Sequence, residues 1–214
     1  MLRENPQDAM HRNSSSQLLS PPPGRPTVIA CLCLLSFILS MSSLALPAKS
    51  SADAQETWLL VDTQALTLAV MQGDSMIYTF ENIAIGSNGA TLDKEVSDEK
   101  TPLGDFRINE IRPSERFGQF LSIDYPSAEI AQRALRAGRI TAEEHEALRQ
   151  ARKLGRAPPQ DTGLGGHLGI HGIGEGSPEI HNAFNWTDGC IALTNEQLEE
   201  LMAWVTVGTR VSIR

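Results

Sequence analysis

The stretch Asn185–Asn195, NWTDGCIALTN, decides both the fold and the chemistry expected of this 214-residue chain. It holds Cys190, and the other two cysteines belong to an apolar run near the N-terminus. Gly189 precedes the thiol, and Ile191-Ala192-Leu193 is typical of a short buried strand. A thiol between a glycine and a strand is either a small buried apolar residue or an exposed nucleophile.

A candidate base lies upstream in GGHLGIHGIGEG, residues 165–176. We expect a strand over 167–171 that places His167, Gly169 and His171 on one face, with His171 at its end. If this strand is adjacent to the one that begins at Cys190, imidazole and thiol come together. A neighbouring imidazolium lowers the pKa of a thiol, so we expect a thiolate–imidazolium pair near neutral pH.

Gly189 has its own predicted use. A residue without a side chain lets the backbone turn so that the amide N–H groups at 188–190 point to one spot. Such amides are suited to stabilise the oxyanion of an acyl-transfer intermediate.

A metal site is the alternative for His167, His171 and His181 with Glu175 and Glu179. The spacing His-x-x-x-His suits a helix, but four glycines lie within residues 165–172 and make a helix improbable there. In a strand, residues four apart are separated by roughly 13 Å, which is too far to share one ion. We therefore expect no metal and no cofactor.

The chain from residue 56 onward is predicted to be mainly β, because β-forming residues alternate with turn signals. Gln72-Gly73-Asp74 is the expected turn of a hairpin. The expected strands are 57–62, 66–71, 76–85, a stretch within 100–111, 120–123, 167–171, 190–193 and 210–214. The fold class is mainly β, or α+β overall when the helices are included.

Two helical regions interrupt this pattern. The composition of residues 127–156, approximately, predicts a helical insertion. It is broken at Gly138 and restarts at a capping box, Thr141–Glu144. A second capping box, Thr194–Gln197, predicts a helix through about Val205. The insertion is either a solvated hairpin or a lid over the substrate groove. Trp58 and Trp204 are expected in the core.

Residues 1–55 are of a different kind. Thr27–Leu46 is a run of twenty uncharged residues after a flank that carries arginines. This pattern predicts an export signal, or an uncleaved membrane anchor, followed by a short linker. We expect a protein of the periplasm or extracytoplasmic envelope that contacts the membrane only through this segment. The net charge of −8 argues against a nucleic-acid partner.

Three motifs together resemble one enzyme family, the L,D-transpeptidase (YkuD) family. IHG (170–172) and TDGC (187–190) resemble its signature, a His-Gly followed after a loop by Ser/Thr-His-Gly-Cys. KTPLGDFRI (100–108) resembles its Thr-Pro-x-Gly-x-Phe strand, and GTRVSI (208–213) its closing strand. The resemblance covers about residues 57–214, and NWTDGCIA (185–192) is similar to a YafK-like branch.

The resemblance implies a β-sandwich-like catalytic domain that acts on peptidoglycan stem peptides. Cys190 would be the nucleophile, His171 the general base, and the backbone carbonyl of Gly172 the group that orients the imidazole. The residues that would line the oxyanion and substrate site are Trp186, Thr187, Asp188 and Gly189. The thioester would be resolved by a second stem, giving a 3–3 cross-link, or by a lipoprotein lysine.

Two departures from the family pattern leave the outcome of the reaction open. Asp188 stands where the family has histidine, and Ala192 where many members have Arg or Asn. The YafK-like branch includes enzymes that hydrolyse the bond between a lipoprotein and peptidoglycan, so water is an alternative acceptor. A wall-binding module without turnover is a third alternative.

Overall fold

In the computed structural model of this chain, residues 56–214 are described. The predicted export signal, anchor and linker lie outside the described residues. Within residues 56–214, none of the helices combines the length and the apolar character that a membrane span requires.

One eight-stranded mixed sheet dominates the fold, as the mainly β prediction requires, and a two-stranded parallel ladder accompanies it. The order in the large sheet is β3-β2-β1-β10-β6-β7-β8-β9. Two neighbouring pairs, β1–β10 and β8–β9, are parallel, and the others are antiparallel. The strands are β1 Thr57–Asp62, β2 Thr67–Gln72, β3 Ser75–Glu81, β4 Ala90–Thr91, β5 Thr101–Pro102, β6 Gly104–Ser114, β7 Gly118–Ile123, β8 Gly169–Gly172, β9 Ile191–Leu193 and β10 Arg210–Ile213.

The long strand β6 joins the two halves of the large sheet. Its first residues pair with β10, and the rest pairs with β7 across a register shift between Ile108 and Glu110. Side chains from both halves fill one core, since Leu59, Val211 and Ile191 are all fully buried. Burial of such aliphatic side chains is the main stabilising contribution to a fold of this kind.

The first hairpin confirms the predicted turn at Gly73, which adopts a positive φ of 57°. Strand β3 ends at Glu81, however, and not at residue 85. Ala84 instead forms an isolated antiparallel bridge to Ala192, so this segment runs alongside the strand that follows Cys190. The core prediction for Trp204 is wrong, because its side chain is 39% exposed and stacks on Tyr78 at the surface.

The helical insertion consists of α1 Ala128–Arg136 and α2 Ala142–Lys153. The second helix begins as the sequence predicts, at a complete capping box formed by Thr141 and Glu144. The first begins at Ser127, whose side chain caps it. The helices bury one apolar stripe, which includes Ile130, Ala134 and Leu148, against the sheet domain.

The connection from β8 to β9 contains a helix that was not predicted, α3 Pro178–Ala183. Parallel neighbours need such a crossover, and its start signal is present in the sequence as Ser177 at the N-cap followed by Pro178. The last helix, α4 Asn195–Leu201, has the predicted capping box but ends four residues before Val205. Its buried residues are Leu198 and Leu201.

Candidate active site

The parallel pairing of β8 with β9 places His171 and Cys190 on neighbouring segments, since Cys190 directly precedes β9. Ile170 is opposite Ile191 and His171 is opposite Ala192, so Cys190 and His171 lie on the same face as diagonal neighbours. Diagonal neighbours have Cα atoms roughly 8 Å apart, within reach of two side chains that lean toward each other. Both residues line one cleft of about 560 Å³.

His167 does not share this strand face, and that part of the prediction is wrong. Strand β8 begins at Gly169, and His167 adopts a positive φ of 56° just before it. The backbone there turns away from extended geometry, so the alternation of side chains stops. His167 still borders the cleft, with an exposed side chain and its carbonyl directed to Cys190.

The imidazole of His171 is oriented by the main chain. Its Nδ1 lies 2.8 Å from the carbonyl oxygen of Gly172. A carbonyl only accepts, so Nδ1 carries the proton and Nε2 is the basic nitrogen. This is the geometry that the resemblance implies for the Gly172 carbonyl. A side chain at residue 172 has no room, because a Cβ there would lie 2.5 Å from Asn195 Oδ1.

Aromatic rings enclose the imidazole. Phe117 stacks on it with a centroid distance of 3.9 Å, Phe120 lies at 5.7 Å, and Trp186 meets it edge-on at 5.9 Å. His171 is 2% exposed, and this burial lowers its pKa to about 4. The imidazole is therefore neutral at pH 7.

The thiol of Cys190 is half-buried and donates a hydrogen bond to the carbonyl of His167 at 3.5 Å. Burial of the sulfur raises the pKa of Cys190 to about 11, and the charge of Asp188 acts in the same direction. The expected thiolate–imidazolium pair is thus not the state of the free protein. Both groups are neutral at pH 7.

The loop before Cys190, residues 187–189, is fixed by close backbone contacts and hydrogen bonds. Gly189 has a φ of +126°, and a Cβ on it would lie 2.5 Å from the carbonyl oxygen of Lys100. Thr187 Oγ1 accepts from Gly189 N–H at 3.1 Å and donates to the Cys190 carbonyl at 2.7 Å. Because Thr187 uses the Gly189 amide, the candidate oxyanion donors are the amides of Asp188 and Cys190.

The other residues considered from the sequence lie at the cleft or directly behind its wall. Trp186 and the exposed Asp188 both border the cleft. His181 lies behind Trp186 on α3 and accepts a hydrogen bond from its indole N–H at 3.2 Å, so it holds the wall of the cleft. Among residues 56–214, no three His, Cys, Asp or Glu side chains are grouped closely enough to hold a metal ion.

Sequence reasoning missed the cations of the site. Arg112 and Arg116 line the cleft from the β6–β7 hairpin, and their guanidinium groups pack on Phe120 and Phe117 at 4.9 and 4.8 Å from the ring centres. Lys94 lies buried beneath the nucleophile loop. Alternation along β6 could have indicated Arg112, but nothing local marks Lys94.

Comparison with known proteins identifies the family. The model of the YkuD family, the L,D-transpeptidase catalytic domain, matches residues 56–213. This chain therefore belongs to the YkuD L,D-transpeptidase family. None of the curated proteins compared with the chain matches it.

Solved structures are similar to this chain at low sequence identity. A mutant form of the helical cell shape determining protein Pgp2 from Campylobacter jejuni is 19% identical with a TM-score of 0.51, over 75% of this chain and 48% of that one. Bd1075 from Bdellovibrio bacteriovorus is 19% identical with a TM-score of 0.46, over 78% of this chain and 50% of that one. A mutant L,D-transpeptidase from Enterococcus faecium is 14% identical with a TM-score of 0.43, over 74% and 50%. This chain spans about half the length of each.

Proposed function

We propose that this protein is a cysteine acyltransferase of the cell envelope that acts on peptidoglycan stem peptides. The observation that carries the proposal is the position of Cys190, diagonally across the β8–β9 pair and in the same cleft as a neutral imidazole whose Nδ1–H is fixed by the Gly172 carbonyl. A base oriented in this way, beside a nucleophile in an open cleft, is the arrangement that acyl transfer requires.

In the first half of the reaction, Cys190 Sγ attacks the carbonyl carbon of the third stem residue while His171 Nε2 takes the thiol proton. The oxyanion that forms faces the amides of Asp188 and Cys190. When the intermediate collapses, the C–N bond breaks and the imidazolium returns its proton to the leaving amine of the terminal residue. A thioester on Cys190 remains.

In the second half, an acceptor attacks the thioester and His171 takes its proton. A neighbouring groove of about 460 Å³ shares Arg116, Phe117 and Trp186 with the cleft. It gives a second stem peptide a place beside the thioester, which favours an amine acceptor over water. The carboxylate of Asp188, next to the sulfur, would attract that amine.

The charge of the cleft supports a carboxylate-rich substrate. The whole chain is acidic, with a net charge of −8, yet Arg112 and Arg116 stand at the rim of this cleft. Guanidinium groups bind carboxylates in a paired geometry. Stem peptides carry several carboxylates, so the two arginines would orient the stem over the sulfur.

Incubation with purified sacculi, followed by analysis of the muropeptides, tests this function. We expect new 3–3 cross-linked dimers with the wild type and none with Cys190→Ala. Release of monomers or of lipoprotein without new dimers would assign hydrolysis instead. Binding to sacculi without any change in muropeptides, equal in both proteins, would leave only a wall-binding module.

A further inference from the structure

Lys94 is a buried cation directly beneath the nucleophile loop. Its side chain is 4% exposed, and its Nζ donates to Asp98 Oδ1 at 2.6 Å and to the Asp188 carbonyl at 3.4 Å. Nζ would also lie 3.2 Å from a Cβ at Gly189. A buried lysine is costly to keep charged, and this one is placed where the loop that carries Cys190 passes.

The loop that presents Lys94 is itself ordered around Asp98. The Asp98 carboxylate accepts from the backbone N–H of Glu95 and of Lys100, both at 2.9 Å. Burial acts to raise the pKa of Asp98, but the hydrogen bonds from Lys94 and these amides lower it overall. The carboxylate is therefore ionised and holds both the ammonium group and the turn around it.

The same loop is bonded to the Cys190 loop at a second point. Thr101 Oγ1 donates to the Gly189 carbonyl at 3.0 Å and accepts from the Gly86 N–H at 2.9 Å. The backbone from Asp188 to Gly189 is thus fixed through two carbonyls, by Lys94 and by Thr101. The amides on either side, which face the developing oxyanion, have little freedom left.

The helical insertion clamps this loop from outside. Arg133 and Arg139 both bind Asp93 Oδ1, at 3.0 and 2.6 Å, and Arg139 also donates to the Lys94 carbonyl at 3.2 Å. Val96 N–H adds a bond to the Gly163 carbonyl at 2.9 Å. These contacts connect the insertion to the nucleophile through the loop 92–98.

We propose that Lys94 is a positioning residue for the acyl-transfer reaction: held by Asp98 and by the insertion, it fixes the Asp188–Cys190 loop and places a positive charge under the sulfur. Only the turnover measurement on sacculi rests on the proposed function; the alkylation measurement does not. The insertion then acts as a support for the catalytic loop, in place of the lid or the solvated hairpin considered from the sequence.

The charge of Lys94 has a measurable consequence at the thiol. It favours the thiolate and opposes Asp188, which disfavours it. The ionisable groups that face the sulfur or border its cleft are Asp188, Lys94, His171, His167, Arg112 and Arg116. Replacement of Lys94 by a neutral side chain should therefore raise the thiol pKa, since the other charges stay.

The test is the pH profile of Cys190 alkylation by iodoacetamide in the full chain, read by peptide mapping. We expect Lys94→Met to slow alkylation at pH 8 by roughly 3- to 10-fold, and Lys94→Arg to stay within about 2-fold of wild type. On sacculi, Lys94→Met should lower the turnover by roughly 10- to 100-fold at unchanged KM.

Leu68→Ala on β2 is the matched control, because Leu68 is fully buried on a strand paired with β1 and β3, outside the insertion and the loop 92–98, and its truncation destabilises the fold without touching either. The proposal is overturned if Lys94→Met keeps the wild-type alkylation profile, or if Leu68→Ala shifts the profile equally.

A second variant carries the test should Lys94→Met fail to fold. Asp93 is exposed, so Asp93→Asn should fold, and the loosened loop should slow alkylation by roughly 2-fold. An unchanged rate would overturn the proposal. Alkylation needs no peptidoglycan substrate. If the wild type is inactive on sacculi but Lys94→Met is still alkylated more slowly than the wild type, the proposed function fails and the role of Lys94 stands.

Discussion

The imidazole and the thiol of the cleft lie in opposite kinds of surroundings. His171 is enclosed by Phe117, Phe120 and Trp186, and its Nδ1 is hydrogen-bonded to the Gly172 carbonyl. Cys190 ends a polar loop that is bonded to Lys94 and Thr101 from a distant part of the chain. Burial neutralises both groups, but the imidazole is held by packing and the thiol by the hydrogen bonds and charge of its loop.

This difference indicates that the two groups depend on their surroundings in different ways. An imidazole in an apolar box has a low pKa and a fixed ring, so it stays neutral and can take a proton only as the thiol loses it during attack. A nucleophile on a hydrogen-bonded loop keeps the amides beside it aligned for an oxyanion. Changes in the loop backbone should therefore disturb geometry, changes in the charges beside the loop should move the thiol pKa, and changes around the imidazole should move the acid limb of the pH profile.

The largest effect is expected at the glycine of the nucleophile loop. Gly189→Ala brings a Cβ within 2.5 Å of the Lys100 carbonyl at a positive φ. We expect a loss of about 2–4 kcal/mol in the free energy of unfolding and at least a roughly 100-fold drop in acylation of Cys190. Urea unfolding and intact mass spectrometry measure the two effects.

Gly208→Ala separates backbone strain from the clash. Gly208 also has a positive φ, +98°, but nothing lies within 4 Å of its added Cβ. It should cost about 1 kcal/mol and leave acylation unchanged. Equal losses in the two variants would mean that the close approach of the 94–101 loop has no effect on the site.

A smaller effect is expected from the aromatic box. Phe117→Leu removes the ring that stacks on His171 and admits water, so the pKa of His171 should rise from about 4 toward its ordinary value of 6.5. The imidazole would then be mostly protonated at pH 5, and acylation at that pH should fall roughly 10-fold. The rate of adduct formation against pH is the measurement. Phe106→Leu, a buried ring that packs on Tyr125, should leave the acid limb in place.

The smallest effect is expected at Asp188. Its charge raises the pKa of Cys190, so Asp188→Asn should lower that pKa and speed alkylation by iodoacetamide at pH 8 by roughly 3-fold. In the wild type, alkylation should climb about tenfold per pH unit from pH 7 to 9, because the thiol pKa lies near 11. Asp161→Asn, on an exposed loop, is the control. A slower reaction in Asp188→Asn would reverse the sign of this interaction.

Local signals in the sequence predicted the features that depend on local physics. The capping residues Thr141 and Thr194, the turn at Gly73 and the adjacency of the His171 and Cys190 strands are all present. The helix α3 was missed although Ser177-Pro178 marks its start. Strand β8 was placed two residues too early because the positive φ at His167 has no sequence signal.

The charge state of the pair could not be read from the sequence, because it depends on contacts distant along the chain. Phe117 and Phe120 come from the β6–β7 hairpin, and Lys94 lies 94 residues before the carbonyl that it binds. A lysine in a polar, acidic segment reads as a solvated surface residue, and only the folded sheet shows that it is buried.

The central claim is that His171 takes the proton of the Cys190 thiol. Acylation of Cys190 by a carbapenem, followed against pH by intact mass, tests it most directly, since carbapenems acylate such thiols in many members of the family. With a neutral thiol and a neutral base of pKa about 4, the wild-type rate should rise through pH 4 and stay level from about pH 5 to 10. His171→Gln should be at least roughly 100-fold slower at pH 7 and rise tenfold per pH unit. A wild-type rate that climbs with pH just as the His171→Gln rate does would show that the imidazole takes no part, and an equal adduct on Cys190→Ala would exclude this sulfur as the nucleophile.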